Sequence, residues 1–373
     1  MVKVCHITSA HKRYDTRIFE KECCSLAKHG YEVILLVNDS NGDEIKNKVK
    51  ITSTGFRPKN RFHRLLFSSG KIYKKAISID ADIYHFHDPD LLFISKKLKK
   101  SNKKVVYDSH EFYYMQIREK KYIPKLFRSI VASIYNVIET NVIRKIDAVI
   151  TPCKFNGENV FENRAKRTVF INNTPRLEEF YNKYEDKILT GDKVCHVGSL
   201  TYERGIYHLV KAIKKADVNL LLGGDFKSQE FENTIKNMPE YSSVDYRGYL
   251  NKDGIVKIYQ ECYAGICTIL NVGQYNKTDN LATKAYEYMS MGLPVIISDY
   301  PYVREVLKKY EFGIAVDPQN TDEIANAIEY LKNNPSDAYR MGQNGRKAII
   351  ELFNWNIDED RLIKLYKSLM KEG

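Results

Sequence analysis

No stretch of this sequence stays apolar long enough to cross a bilayer. Uncharged, apolar-leaning runs such as Ser129–Ile138 fall short of the roughly 20 residues that a spanning helix needs. The N-terminus passes directly into alternating apolar positions (Val2, Val4, Ile7) and carries no apolar leader segment or cleavage site. A chain made and kept in the cytosol is therefore expected. The seven cysteines, Cys5, Cys23, Cys24, Cys153, Cys195, Cys262 and Cys267, form no Cys-x-x-Cys pair and no Cys/His group with zinc-finger spacing. Reduced thiols are expected. Neither Gly-x-Gly-x-x-Gly nor a Gly-rich loop closing in Lys-Ser/Thr occurs, so NAD and ATP chemistry have no support. No short-period self-similarity is visible, which excludes a solenoid.

What is present suits two packed cores. The chain has 373 residues, of which 43% are hydrophobic, enough for two domains and too many for wholesale disorder. Its excess positive charge lies entirely in the first half. Residues 1–190 hold 36 Lys and Arg against 22 Asp and Glu, and the remainder holds 23 against 25. Such asymmetry predicts an anionic partner for the first half.

Strands and helices alternate along both halves. Lys3–Thr8, Tyr31–Val37, Ile83–His87, Lys104–Asp108 and Ala148–Thr151 read as strands, the second nearly continuous in apolar residues as a doubly covered parallel strand should be. Between the first two, Thr16–His29 places Ile18, Phe19, Cys23, Leu26 and Ala27 at helical spacing and ends at Gly30. The pattern restarts at Lys193–Val197 and continues with strands at Val218–Gly223, Val244–Arg247, Gly265–Thr268 and Pro294–Ser298. Two parallel α/β units in tandem are predicted, residues 1–188 and 189–354, divided in the polar stretch Lys183–Asp192. A last amphipathic helix, within 355–373, is expected to pack back on the first unit.

Open parallel sheets bind ligands beyond the carboxyl ends of their strands, so two facing sheets predict a cleft with one ligand on each wall. The most informative segment is Asn280–Ser298. Thr283 reads as the cap of a helix running to Met291, ended by Gly292 and Pro294. A helix start offers open N–H groups and a positive dipole end, which suit a diphosphate. Lys284 adds charge there, and Glu287, one turn in, suits paired hydroxyls. On these residues alone an ordinary capped crossover helix fits as well.

Several segments together resemble a known family. Glu287-Tyr-Met-x-x-Gly-Leu-Pro-Val-Ile296 followed by Ser298 resembles the donor-binding element of glycosyltransferase family four, the large retaining group with the GT-B fold. Asp15-Thr-Arg-Ile-Phe-Glu-Lys-Glu22 with Leu26 and Gly30 resembles its first-domain helix. His85-Phe-His-Asp-Pro-Asp-Leu-Leu92 and Val106-Tyr-Asp-Ser-His-Glu111 resemble its two first-domain turns. Val197-Gly-Ser-Leu200, Arg204-Gly205, Gly223-Gly224 and Arg247-Gly-Tyr-Leu250 stand where the second domain has its own. Each is weak alone; their order and spacing are specific.

The resemblance implies a GT-B fold, two Rossmann-like parallel-sheet domains facing a central cleft, and a retaining, metal-independent hexosyltransferase with no cofactor. It implies a UDP- or GDP-sugar donor and a glycan acceptor, in cell-surface polysaccharide biosynthesis. By the same resemblance His110 contacts the transferred sugar, Arg204 binds the diphosphate with help from Lys284, Glu287 holds the ribose, and Tyr249 and Leu250 lie along the base. Gly198, Ser199, Asn280, Leu281, Ala282 and Thr283 complete the donor wall. Two positions depart from the family pattern: Asp279 stands where a glutamate touches the donor sugar, and Ser199 where an arginine follows the glycine. The transfer implied is a front-face substitution, with the donor phosphate oxygen helping to take the acceptor's proton.

His85, His87, Asp88, Asp15 and Arg17 are placed on the acceptor side. His-x-His-Asp has metal-ligand chemistry, but no accompanying cluster at suitable spacing, so no metal is expected. The basic runs Lys96–Lys100 and Lys103–Lys104, and Arg57, Lys59, Arg61 and Arg64 among Phe56, Phe62, Leu65, Leu66 and Phe67, suit an anionic membrane surface. A lipid-linked acceptor and peripheral attachment at the inner membrane face follow. A GT-B-like sugar-nucleotide epimerase and a basic nucleic-acid-binding protein are the alternatives. No helix-turn-helix, finger or RNA-recognition signature supports the latter, so nucleic acid is not an expected partner.

Overall fold

The computed structural model describes residues 1–100, 103–118, 120, 123–188 and 190–371. The chain separates into two compact units. The first contains Met1–Lys154, Glu158–Asn173 and the chain from Asn356; the second contains Phe155–Gly157 and Thr174–Trp355.

In the first unit the strands are β1 (Lys3–Ile7), β2 (Glu32–Val37), β3 (Glu44–Lys46), β4 (Val49–Ser53), β5 (Ile83–Phe86), β6 (Lys104–Asp108), β7 (Ala148–Thr151) and β8 (Thr168–Phe170). They lie in the order β3-β4-β2-β1-β5-β6-β7-β8. All neighbours are parallel except the β3–β4 hairpin, whose antiparallel strand closes that edge. The chain moves outward from β1 to β2 and then returns to β5 on its other side. The strand order therefore reverses between β1 and β5, the place where ligand crevices open in such sheets.

The second unit holds β9 (Lys193–Val197), β10 (Asn219–Gly223), β11 (Val244–Gly248), β12 (Ala264–Cys267), β13 (Val295–Ser298) and β14 (Gly313–Val316). Their order is β11-β10-β9-β12-β13-β14, parallel throughout. Here the reversal falls between β9 and β12. Val194, Leu220, Leu222, Ile266 and Ile296 form one buried face of this sheet, and Cys195, Val197, Leu221, Val295 and Ile297 form the other. Covering both faces explains the unbroken apolar runs in the strands.

Two local expectations change. The predicted helix over 16–29 begins as a π-helix, Thr16–Cys23, and becomes α-helical only over Cys24–Lys28. The division falls at 173/174 rather than at 188/189. Residues 174–188 carry charge, but aromatic packing ties them to the second unit: Arg346 stacks on the rings of Tyr181 (3.7 Å) and Tyr184 (4.0 Å) and donates to Tyr181 O at 3.1 Å. The last helix, Trp355–Lys371, belongs from Asn356 to the first unit, where Tyr366 is buried against His6 and His85.

Candidate functional site

At the second unit's reversal point, four loops converge. β9 ends at Val197, and Gly198 follows with φ +154°, donating its N–H to Gly223 O at 2.9 Å. Gly224 (φ +123°) lies so close that a Cβ there would sit 1.8 Å from Gly198 O. Gly205 ends a short 3-10 turn, Tyr202–Arg204, at φ +75°, and its Cβ would sit 1.9 Å from Thr268 O. These glycines let backbone approach backbone where a ligand would lie.

The helix Thr283–Ser290 opens onto this place. Thr283 is its first helical residue rather than its cap: Ala282 occupies the cap position, and no side chain caps the helix. The threonine was expected as the cap because its hydroxyl suits that role, but Ala282 takes the extended cap backbone (φ −64°, ψ 142°) one residue earlier. The uncapped start keeps first-turn N–H groups available to an anion. Upstream, Tyr286 fixes the loop, donating its hydroxyl to Asn280 Oδ1 and accepting the Leu281 N–H at 3.2 Å. The helix itself is seated by Tyr288, whose hydroxyl accepts Val197 N–H at 3.1 Å and whose ring fills the space of the missing Gly265 Cβ. Its far end closes at Gly292 (φ +70°), with Leu293 N bonded back to Tyr288 O at 3.0 Å.

Glu287 is buried, and its Oε2 accepts the Tyr259 hydroxyl at 2.7 Å. Lys284 Nζ reaches the same carboxylate at 2.7 and 2.9 Å. The lysine stem lies over Gly198, its Cε 3.8 Å from where a Cβ would be. Arg204 is half-buried, stacked on Tyr275 and bonded to its hydroxyl at 2.9 Å. Sequence reasoning missed His196, a buried residue of β9. Its Nδ1 donates to Ile266 O at 2.9 Å, which leaves Nε2 facing Gly198. Burial, with Arg204 and Lys284 nearby, lowers this imidazole to about 4, so it stays neutral and acts as an acceptor. No motif announces it; only its place at the carboxyl end of a central strand does.

The remaining predicted donor residues divide. Asp279 is partly exposed and accepts the N–H of Gly157 at 3.2 Å, beside the Phe155–Thr278 bridge. Ser199 follows Gly198 in the same turn. Tyr249 is 78% exposed, whereas Leu250 packs on Gly223 and Gly254, so the two do not face one direction.

In the first unit the predicted polar residues gather behind His110. Arg17 makes a two-pronged pair with Asp108 (Nε–Oδ2 3.1 Å, Nη2–Oδ1 3.0 Å) and donates to Ile171 O. Burial opposes the charge on Asp108, but Arg17 and His110 hold it well below the usual carboxylate range. Burial and the neighbouring Asp108 push Glu22 well above it. His110 Nε2 lies 3.0 Å from Asp108 Oδ2 and 3.1 Å from His87 Nδ1, and its side chain keeps 19% exposure. Asp88 accepts the Thr8 hydroxyl and Ser9 N–H, both at 2.7 Å, at the end of β1. Asp15 caps the π-wound start through Arg17 N and Ile18 N.

Arg17, His85, His87 and Asp88 were expected to line the acceptor side; they are instead buried. Burying so many polar groups is costly unless they satisfy one another, and the reversal point between β1 and β5 brings them close enough to do so. Of this group, His110 and Asp15 retain exposure.

Residues 20–174 match the model of Glycosyltransferase Family 4, and residues 178–348 match that of the Glycosyl transferases group 1. The chain belongs to the group 1 glycosyltransferases and has the GT-B fold. An uncharacterized glycosyltransferase of Methanocaldococcus jannaschii is 22% identical over 93% of this chain and 92% of its own. The capsular polysaccharide biosynthesis glycosyltransferase CapM of Staphylococcus aureus is 26% identical over 53% of this chain and 51% of its own. Among solved structures, sucrose-phosphate synthase from Thermosynechococcus elongatus superposes with a TM-score of 0.79 at 19% identity, covering both chains fully. Anabaena HepE in complex with UDP and glucose superposes at 0.72 and 14% identity, over 99% of this chain and 100% of that one.

Proposed function

We propose that this chain is a retaining glycosyltransferase that moves a sugar from a UDP- or GDP-linked donor to a lipid-linked glycan at the cytoplasmic face of the membrane, in polysaccharide assembly. The observation that carries the donor assignment is the second unit's reversal point. There an uncapped helix start, a glycine turn, two cations and a buried glutamate converge. The HepE complex with UDP and glucose and the capsular role printed for CapM support the donor and pathway classes.

The family pattern and the local geometry support the following roles. Glu287 accepts the ribose hydroxyls, exchanging its Lys284 contact for them. Lys284, so released, and Arg204 meet the charge that grows on the departing nucleotide diphosphate, so transfer proceeds without a divalent ion. His110 positions the donor sugar, with Asp108 fixing which ring nitrogen carries the proton. The acceptor hydroxyl attacks on the face that the nucleotide leaves, and its proton passes to a phosphate oxygen of the departing group. The protein contributes orientation and charge stabilisation.

A specific surface supports the membrane. The helix Arg61–Ile79 exposes Phe62, Leu65, Leu66 and Phe67, the helix Leu92–Lys100 exposes Phe93, and the helix Lys125–Ile143 exposes Leu126, Phe127, Ile130, Ile134 and Val137. The first packs on the second and the second on the third, so these side chains share one face of the sheet. Lys59, Lys96, Lys125 and Arg128 border them in sequence; the side chains of Arg61 and Lys100 lie outside the described residues. Apolar ridges flanked by basic residues suit the boundary of an anionic bilayer. Among the described residues no helix is long and apolar enough to cross a membrane.

The test is a panel of nucleotide sugars offered with and without a lipid-linked glycan. Free nucleotide released only with acceptor, and an α-to-α or otherwise retained anomeric product, is expected. Nucleotide sugar turned over into an isomer with no acceptor present would exclude the reading.

A further inference from the structure

The first unit contains one group of side chains that the transfer chemistry does not use. His6 from β1, His85 and His87 from β5, and Glu22 from the π-wound helix each offer a ligand atom, all within 4.8 Å of one another. All four are buried. His6 Nδ1 and His87 Nε2 lie 2.9 Å apart, and Glu22 Oε2 stands 3.8 Å from the first and 3.9 Å from the second.

The outer nitrogens are all engaged elsewhere. His87 Nδ1 faces Asp108 Oδ2 at 3.4 Å, and His6 Nε2 and His85 Nδ1 both meet the Tyr366 hydroxyl, at 3.2 and 2.8 Å. One nitrogen turned inward and the other held by a carboxylate or hydroxyl is the arrangement of histidines around a metal. Hydrogen bonding alone accounts for the His6–His87 contact but leaves three buried atoms over. Glu22 Oε1, Glu22 Oε2 and His85 Nε2 have no partner at hydrogen-bond geometry, although Glu22 also lies 3.1 Å from the Arg17 guanidinium and neighbours Asp108. Buried polar atoms without hydrogen bonds are uncommon, and three of the eight among the described residues lie in this cluster. Arg17 is itself neutralised by Asp108, so its charge does not oppose a cation beside Glu22.

We propose that His6, Glu22, His85 and His87 form a structural zinc site inside the first unit, separate from the donor wall. Three imidazoles and one carboxylate in a closed, four-coordinate set favour Zn2+ over Mg2+ or Ca2+, which prefer oxygen. The ion braces β1, β5 and the π-wound helix, and His87 carries that brace to His110. Because no ligand is exposed, the metal enters during folding and exchanges slowly.

The experiment uses the full chain without a histidine tag. After expression in zinc-supplemented medium, elemental analysis is expected to give about one zinc per chain. Refolding with Co2+ in place of Zn2+ is expected to give the visible absorption of a four-coordinate centre. His85→Ala and Glu22→Gln are expected to lose the bound metal, and Tyr366→Phe to weaken it about 10–100-fold. A wild-type chain that folds without metal and takes up neither Zn2+ nor Co2+ on refolding overturns the proposal, as does full metal content in both ligand variants. If those variants fail to fold, the wild-type content and cobalt spectrum still decide. Failure here leaves the donor reading untouched, since none of these residues belongs to it.

Discussion

Lys284 Nζ lies 2.7 Å from Glu287 Oε2, one turn along the same helix, and that oxygen also accepts the Tyr259 hydroxyl. The charged groups of the proposed donor wall are thus paired with one another. A nucleotide that engages Glu287 through its ribose must displace the lysine, which then becomes free for the diphosphate. Glu287→Ala should weaken UDP binding by about 10–100-fold, the scale of losing roughly 1.5–3 kcal/mol of charge-assisted hydrogen bonds. Isothermal titration with UDP checks this; unchanged affinity would remove Glu287 from the site.

His110 should separate chemistry from binding. Its substitution by alanine is expected to lower kcat by about 10²–10³-fold, the scale seen when one preorganised donor is lost, while the dissociation constant for UDP stays near the wild-type value. Steady-state kinetics alongside UDP titration gives both quantities. Turnover that survives His110→Ala would assign the sugar-positioning role elsewhere.

Gly224 has no room for a side chain: its Cβ would stand 1.8 Å from Gly198 O, at φ +123°. Gly224→Ala must push the two glycine turns apart. A loss of about 2–4 kcal/mol is expected from clash and backbone strain together, measured by denaturant unfolding, with UDP binding weakened as well. A variant as stable as the wild type would show that the turns are looser than this geometry.

His196 gives a pH signature. Its folded value of about 4 lies below the ordinary 6.5, so between those pH values the unfolded chain binds the extra proton. Its contribution to stability is therefore complete above about pH 6.5 and is lost as pH falls toward 4, at up to about 1.4 kcal/mol per pH unit. His196→Gln should flatten this part of the stability–pH curve relative to wild type. Parallel curves for the two proteins would refute the assignment.

The apolar ridge should govern membrane binding. Ile130 and Ile134, 54% and 56% exposed on the helix Lys125–Ile143, are expected to enter the lipid boundary. Ile130→Asp with Ile134→Asp should reduce co-sedimentation with anionic vesicles at least about tenfold, since each buried aliphatic side chain contributes roughly 1.5–3 kcal/mol. Wild-type binding should fade with added salt. Equal sedimentation of variant and wild type would move the contact elsewhere.

The helix Lys125–Ile143 also shows where sequence reading stopped. Its apolar residues recur at helical spacing, which indicates a helix but not which face is covered. Only packing shows that Leu126, Ile130, Ile134 and Val137 stay exposed among the described residues. The same holds for His-x-His-Asp. The motif suggested residues lining a ligand, whereas the fold buries His85, His87 and Asp88 and leaves His110 partly exposed in front of them. The sequence placed residues 174–188 in the first unit, with the division in the polar stretch Lys183–Asp192, whereas Arg346 stacked on Tyr181 and Tyr184 ties them to the second.

By itself the sequence determined the two parallel α/β units, because doubly covered strands need continuous apolar runs and crossover helices need amphipathic ones. It also determined the place of the helix Thr283–Ser290, because Gly292 and Pro294 end a helix wherever it packs. Only the tertiary structure decided which polar residues meet. His6, Glu22, His85, Asp108 and Tyr366 lie on five separate elements, and nothing in their local spacing brings them together. The strand order of the first sheet does that, by setting β1 beside β5 and returning the last helix to the unit where the chain began.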